Sequence, residues 1–323
     1  MIFHPLSLTI LILDALSLFL LLVGAIKAFS ILADTNPQNQ DTIAPLSRCG
    51  RISFALQLGS FVLLIVGISR VFPAHINGAL CGTGVLEAMG SGTTQMLFLG
   101  FLSLLFLQSW LVLDLQGRRT RPALSPINAA KGVLLSLPLV ILAVFYRAKA
   151  LYLIDKSEEV NCCAIYSQVI TLSGAGSAQT TFILWLSVLL ALSLLLVILA
   201  TLLCRATRHP KINRLLLATT LIWCGVAFWS IPPILTFHHL GELDHHCPWC
   251  LFLPENSSIG FPLYLSLLGA GLAGVTLFAL SLSGNRIAAR QPKFPFSPIL
   301  PTAILIVCLT VFLLLVSFPG VSI

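Results

Sequence analysis

The chain has 323 residues, 57% of them hydrophobic and only 9% charged, with a formal net charge of +7. That balance excludes a water-soluble globular domain, which would lack the polar groups to cover its own surface. It also argues against nucleic acid as a partner, because the basic residues fall in short connections between apolar runs and not on one continuous face.

Apolar runs long enough to cross a bilayer recur from end to end, and eight spans are expected near residues 6–32, 52–72, 95–115, 129–147, 180–203, 215–236, 260–282 and 298–318. Lipid offers the backbone no hydrogen-bond partners, so these runs predict helices. The fold class is therefore an all-α polytopic integral membrane helical bundle of about eight transmembrane helices. The connections are too short to fold alone, so residues 1–323 read as a single transmembrane domain. The opening Met1 to Pro5 carries no Lys or Arg, and the run after it is too long for the core of a cleavable signal. Pro138 and the Pro232–Pro233 pair are expected to kink their helices. Gly269, Ala270, Gly271 and Gly274 give the seventh span a small-residue face suited to close helix packing.

Charge sets an expected orientation. Arg118, Arg119, Arg121 and Lys131 flank the third connection, Arg205, Arg208, Lys211 and Arg214 the fifth, and Arg286, Arg290 and Lys293 the seventh. The even connections are neutral or acidic: Glu87 in the second, Asp155, Glu158 and Glu159 against Arg147, Lys149 and Lys156 in the fourth, and Glu242, Asp244 and Glu255 in the sixth. Positive loops stay cytoplasmic. Both termini and the even connections are then extracytoplasmic, with a bacterial inner (plasma) membrane as the expected location.

Cysteine follows the same alternation. Cys81, then Cys162–Cys163, then Cys247 and Cys250 recur at intervals of about 80–85 residues. Gly/Ser-rich stretches follow the first two, and each unit ends in a basic turn closing on proline. This reads as a threefold helical-hairpin repeat over residues 52–122, 129–210 and 215–292, flanked by the spans at 6–32 and 298–318. Its consequence is that five of the nine cysteines share one face. Cys49, Cys204, Cys224 and Cys308 fall on the other side or inside spans, where cysteine behaves as a small apolar residue.

The chemistry is concentrated between His238 and Cys250, which holds four histidines, two carboxylates and a Cys-x-x-Cys pair. Cys247-Pro248-Trp249-Cys250 has the spacing of a redox-active disulfide, with proline fixing the turn. His245 and His246, when protonated, would favour the Cys247 thiolate, while Asp244, Glu242 and Glu255 would oppose it. Cys247 is thus the expected attacking sulfur and Cys250 the resolving one. Cys81, Cys162 and Cys163 are candidates to relay electrons, and a membrane quinone is a candidate acceptor. In chemistry and placement this is similar to the DsbB and vitamin K epoxide reductase families, which work on four- or five-helix bundles. The likeness implies a membrane thiol–disulfide oxidoreductase served by a periplasmic thiol protein or other membrane subunits.

The same residues read as a metal site. Imidazole and thiolate suit copper and zinc, and His238, His239, His245, His246, Cys247 and Cys250 are the candidate ligands, with His75 able to join them. Consecutive histidines point in different directions, so one ion cannot take all four. A non-catalytic subunit braced by structural disulfides is the third reading. The string Asp244 to Trp249 matches the signature of DHHC palmitoyltransferases over six residues, but no cysteine-rich domain surrounds it and charge places it outside, so its role is not carried over. A c-type haem would need histidine where Leu251 stands. Asp14, an ionisable group within the first span, is a functional candidate by position alone. Gln57, Gln108 and Asp114 are weaker cases of the same kind.

Overall fold

A computed structural model describes residues 4–33, 40–90, 92–120, 125–154, 175–205, 210–231, 247–253, 258–284 and 299–317. The described residues are helical, with no strand among them. The long helices are α1 (Pro5–Ala33), α2 (Gln40–Val66), α4 (Thr93–Thr120), α5 (Ser125–Leu153), α6 (Ala175–Arg205), α7 (Pro210–Ser230), α8 (Gly260–Gly284) and α9 (Ile299–Ser317). A short α3 (Gly82–Ala88) lies between α2 and α4, and a π-helical turn, Gly67–Val71, extends α2. Seven helices are long and apolar enough to cross a membrane, and α7 contributes a shorter apolar stretch, Arg214–Phe228. The polytopic bundle of about eight helices is as the hydropathy pattern implies.

The way α1 packs explains why this is a membrane fold. Its buried positions include Ser7, Ile10, Asp14, Ser17, Leu21, Gly24, Ala28 and Ile31, alternating by three and four residues. That is the heptad spacing of a knobs-into-holes seam. The chemistry is inverted relative to a soluble helix: small and polar residues face inward, while Phe19 is 61% and Ile26 71% exposed. Only a lipid surround makes that arrangement favourable, since apolar side chains gain nothing by hiding from hydrocarbon. The α9 seam, Thr302, Leu305, Leu309, Phe312 and Val316, repeats the spacing.

The chain divides into two compact units, Met1–Asn77 with Gly84–Val160, and Gly78–Thr83 with Asn161–Ile323. In the first, α1 packs on α2 and α5, and α4 packs on both α2 and α5. Trp110 of α4 lies against Gly50 of α2 and Gly132 of α5, and a Cβ on either glycine would overlap the indole. Gly132→Val is expected to destabilise this unit by about 1–3 kcal/mol, read as a lower midpoint in thermal or SDS unfolding of the purified protein. In the second unit, α8 packs on α7 and α9, α6 on α7, and α9 on α6. Trp223 sits at its centre, edge-on to Phe312 at 5.2 Å, with its indole N–H donated to Ser193 Oγ at 2.9 Å. The small residues of α8 are contact points: Gly269 lies against Cys308 of α9 and Gly274 against Thr220 of α7. Helix α5 continues through Pro138; Pro232 and Pro233 lie outside the described residues.

One boundary differs from expectation. Arg147, counted by charge bias among the residues of the fourth connection, lies inside α5 and is fully buried. The partner is Asp14, whose carboxylate lets the helix carry a cation inward, whereas Lys149 two residues on is exposed.

Candidate functional site: a three-thiol centre

The local sequence builds the site. Cys247 is extended and caps a 3₁₀ turn, Pro248–Phe252, that starts with proline. Proline suits that place because its ring fixes φ and the first turn has no use for its missing N–H. The Cys250 amide donates to the Cys247 carbonyl at 3.1 Å. Three residues per turn eclipse positions i and i+3, which brings Cys247 and Cys250 onto one edge. Aromatic packing holds the turn. Trp249 stacks on Phe252 at 5.4 Å, and Phe252 stacks on Tyr264 of α8 at 5.2 Å. The indole of Trp249 also covers Gly82, where a Cβ would come within 2.6 Å of it.

That contact places the start of α3 beside the turn, and Cys81, immediately before α3, completes the centre within the second unit. Cys81, Cys247 and Cys250 are all buried, and their sulfurs lie within 4.8 Å of one another. Cys81 Sγ is 3.4 Å from Cys247 Sγ, and Thr83 Oγ1 is 2.8 Å from the same sulfur. The first distance is well beyond the roughly 2.05 Å of a disulfide, so the sulfurs here are thiols in mutual contact.

The arrangement favours one thiolate shared by donors. Hydrogen bonds from the Cys250 and Cys81 thiols hold Cys247 well below the ordinary thiol range; burial opposes them, and the Thr83 hydroxyl and the Trp249 amide add to them. Cys250 is pushed up, first by donating to Cys247 and to Cys81 and then by burial. Because the ionised form of Cys247 is the one stabilised, its alkylation rate is expected to stay flat as pH falls from about 8 to about 6, where an ordinary thiol loses roughly tenfold per unit. Thr83→Val should raise the midpoint of that pH profile by about 1–2 units, the worth of one hydrogen bond to a charged group. Thr83→Ser should leave it in place. The check is alkylation followed by mass spectrometry across pH.

Of the residues singled out by sequence, Cys81, Cys247 and Cys250 come together. Cys162, Cys163, His238, His239, His245 and His246 lie outside the described residues. His75 belongs to the first unit, its ring 5.0 Å from that of His4 and its Nδ1 2.9 Å from the Val71 carbonyl oxygen. Thr83 was not among the sequence candidates; its only signal is its place two residues after Cys81.

A second polar cluster lies in the first unit. Arg147 Nη1 donates to Asp14 Oδ1 at 2.6 Å and to Ser60 Oγ at 2.7 Å, and Nη2 donates to Gln57 Oε1 at 2.8 Å. Gln57 Nε2 donates to Asp14 Oδ1 at 3.3 Å. Asp14, Gln57, Ser60 and Arg147 are all fully buried. Asp14 and Gln57 were legible as polar residues inside spans; Arg147 was hidden by its closeness to a connection.

Comparison with protein-family models, with curated proteins and with solved structures finds no match. The chain is a helical membrane protein with a close cysteine cluster.

Proposed function

We propose that the three-thiol centre performs thiol–disulfide exchange at the extracytoplasmic surface of a bacterial inner membrane, linked to a membrane electron carrier of the quinone class. The observation that supports this most is the 3.4 Å approach of Cys81 to Cys247. Exchange requires a thiolate to reach a disulfide sulfur, and here the sulfurs are already in contact. Starting from a Cys81–Cys250 disulfide, the Cys247 thiolate attacks Cys81, the Cys81–Cys247 bond forms, and Cys250 leaves, taking up a proton to become a thiol. No net electron moves in that step. Re-forming a disulfide from two thiols releases two electrons and two protons. The electrons go to the quinone-class acceptor, and His245 and His246 are suited to take the protons. Cys162 and Cys163, or a periplasmic thiol protein, supply the reducing equivalents.

The test is the redox state of these cysteines in intact membranes, by alkylation before and after reductant. Cycling of Cys247 and Cys250 between thiol and disulfide, with Cys81 forming a mixed bond to Cys247, is the expected result. A permanently oxidised pair that no mild reductant reaches would instead mark a structural disulfide in a non-catalytic subunit.

One observation favours a second reading, the binding or transfer of copper or zinc. Three buried sulfurs within 4.8 Å of one another can surround a single ion at metal–sulfur distances of about 2.3 Å, and a thiolate-rich set suits Cu(I) or Zn(II). A histidine from His238, His239, His245 or His246 would be the fourth ligand. Metal analysis of purified protein, with and without a His245/His246 double substitution, separates this reading from exchange: a stoichiometric ion lost in the variant supports it.

A further inference from the structure

The buried cluster around Asp14 has a property the thiol centre does not use. An ionised carboxylate has two oxygens and about four lone-pair sites to satisfy. Here Oδ1 takes two donors, Arg147 Nη1 and Gln57 Nε2. Asp14 Oδ2 is buried with no partner among the described residues, and so is Arg147 Nε. An unmet acceptor is what a bound water or a proton satisfies, and an unmet donor what a bound water satisfies.

We propose that Asp14 is a reversible proton-binding site within the membrane-spanning part of the first unit, with Oδ2 as the atom that takes the proton. Protonation there leaves the hydrogen bonds of Oδ1 in place. Oδ1 remains an acceptor, as the carbonyl oxygen of the acid, for Arg147 Nη1 and Gln57 Nε2. The guanidinium keeps three neutral acceptors, namely Asp14 Oδ1, Ser60 Oγ and Gln57 Oε1. One proton enters from water, the O–H bond forms at Oδ2, and the net charge of the cluster changes from zero to plus one.

Few other groups bear on the site. Helix α1 carries only one other charged side chain among the described residues, Lys27, which is exposed. On α2, Arg48 and Arg51 are exposed and lie nine and six residues before Gln57, and Arg70 is in the π-turn beyond Ser60. On α5, Lys131 and Lys149 are exposed, and Tyr146 precedes Arg147. Arg147 is therefore the one charge in direct contact. Ser7 Oγ is also buried and without a partner on the same α1 face, about 10 Å toward the start of the helix.

The test is infrared difference spectroscopy of the full chain in liposomes, titrated between about pH 4 and pH 9. The readout is the carbonyl stretch of a protonated carboxylic acid, in wild type, Asp14→Asn, Asp14→Glu and Asp114→Asn. The expected result is an acid band that grows as pH falls and disappears as it rises, absent in Asp14→Asn and retained in Asp114→Asn. If Asp14→Asn does not fold, displacement of that band in Asp14→Glu carries the assignment. A spectrum with no Asp14-dependent acid band across the range would establish a permanent ion pair and overturn the proposal, as would a band that never titrates or one that Asp14→Glu leaves unmoved. None of these results depends on the thiol chemistry.

Discussion

Arg147→Met is expected to destabilise the first unit by about 3–5 kcal/mol, the cost of leaving a carboxylate buried without its cation. Asp14→Leu alone should be as harmful, because it strands the guanidinium. The double variant Asp14→Leu/Arg147→Met should recover most of the loss or exceed wild type, since a buried ion pair seldom outcompetes well-packed apolar side chains of similar volume. The reasoning is one of desolvation. Asp14 and Arg147 are both 0% exposed, and the hydrogen bonds from Arg147 and Gln57 to Asp14 exist to offset that burial. Unfolding midpoints of the three variants in one detergent make the comparison. Additive losses in the double variant would mean the two side chains are not energetically coupled.

The second large effect is at sulfur. Cys247→Ser is expected to abolish exchange, a loss on the order of 10³-fold or more, because Cys247 is the sulfur that Cys81, Cys250 and the Thr83 hydroxyl hold as a thiolate. Cys250→Ser should differ in kind. The attacking sulfur is intact but the resolving one is gone, so a mixed disulfide should accumulate, either Cys81–Cys247 or Cys247 joined to an external thiol. Non-reducing electrophoresis with peptide mapping distinguishes the two. If both substitutions leave thiol traffic in membranes unchanged, the exchange proposal fails and the metal reading is tested next.

The architecture was legible because lipid makes it so. Each long apolar run has one way to satisfy its backbone, and Ile10, Phe19, Leu189 and Phe312 announce helices whatever face they end on. Cys247 and Cys250 were legible through spacing, since a three-residue offset needs only a tight turn to meet. Cys81 was expected through the hairpin spacing, and it reaches the centre because Gly82 admits the Trp249 indole. Arg147 was misjudged for a physical reason. A cation near a helix end is ordinarily drawn to the interface, and sequence gives no sign that a carboxylate more than a hundred residues earlier holds it inside. Thr83 was invisible because a hydroxyl gains meaning only from the sulfur 2.8 Å away.

The inverted seam of α1 bears on how such a chain can diverge. Its outward positions ask only for bulk and oiliness, so Leu8, Phe19, Ile26 and Phe29 are interchangeable with one another at little cost. Ser7, Asp14, Ser17, Gly24 and Ala28 are each buried, and Asp14 and Ser17 are also held by hydrogen bonds. Drift therefore collects on the lipid side, and kinship between chains of this design would persist as a three-and-four spacing of small residues long after pairwise identity had eroded.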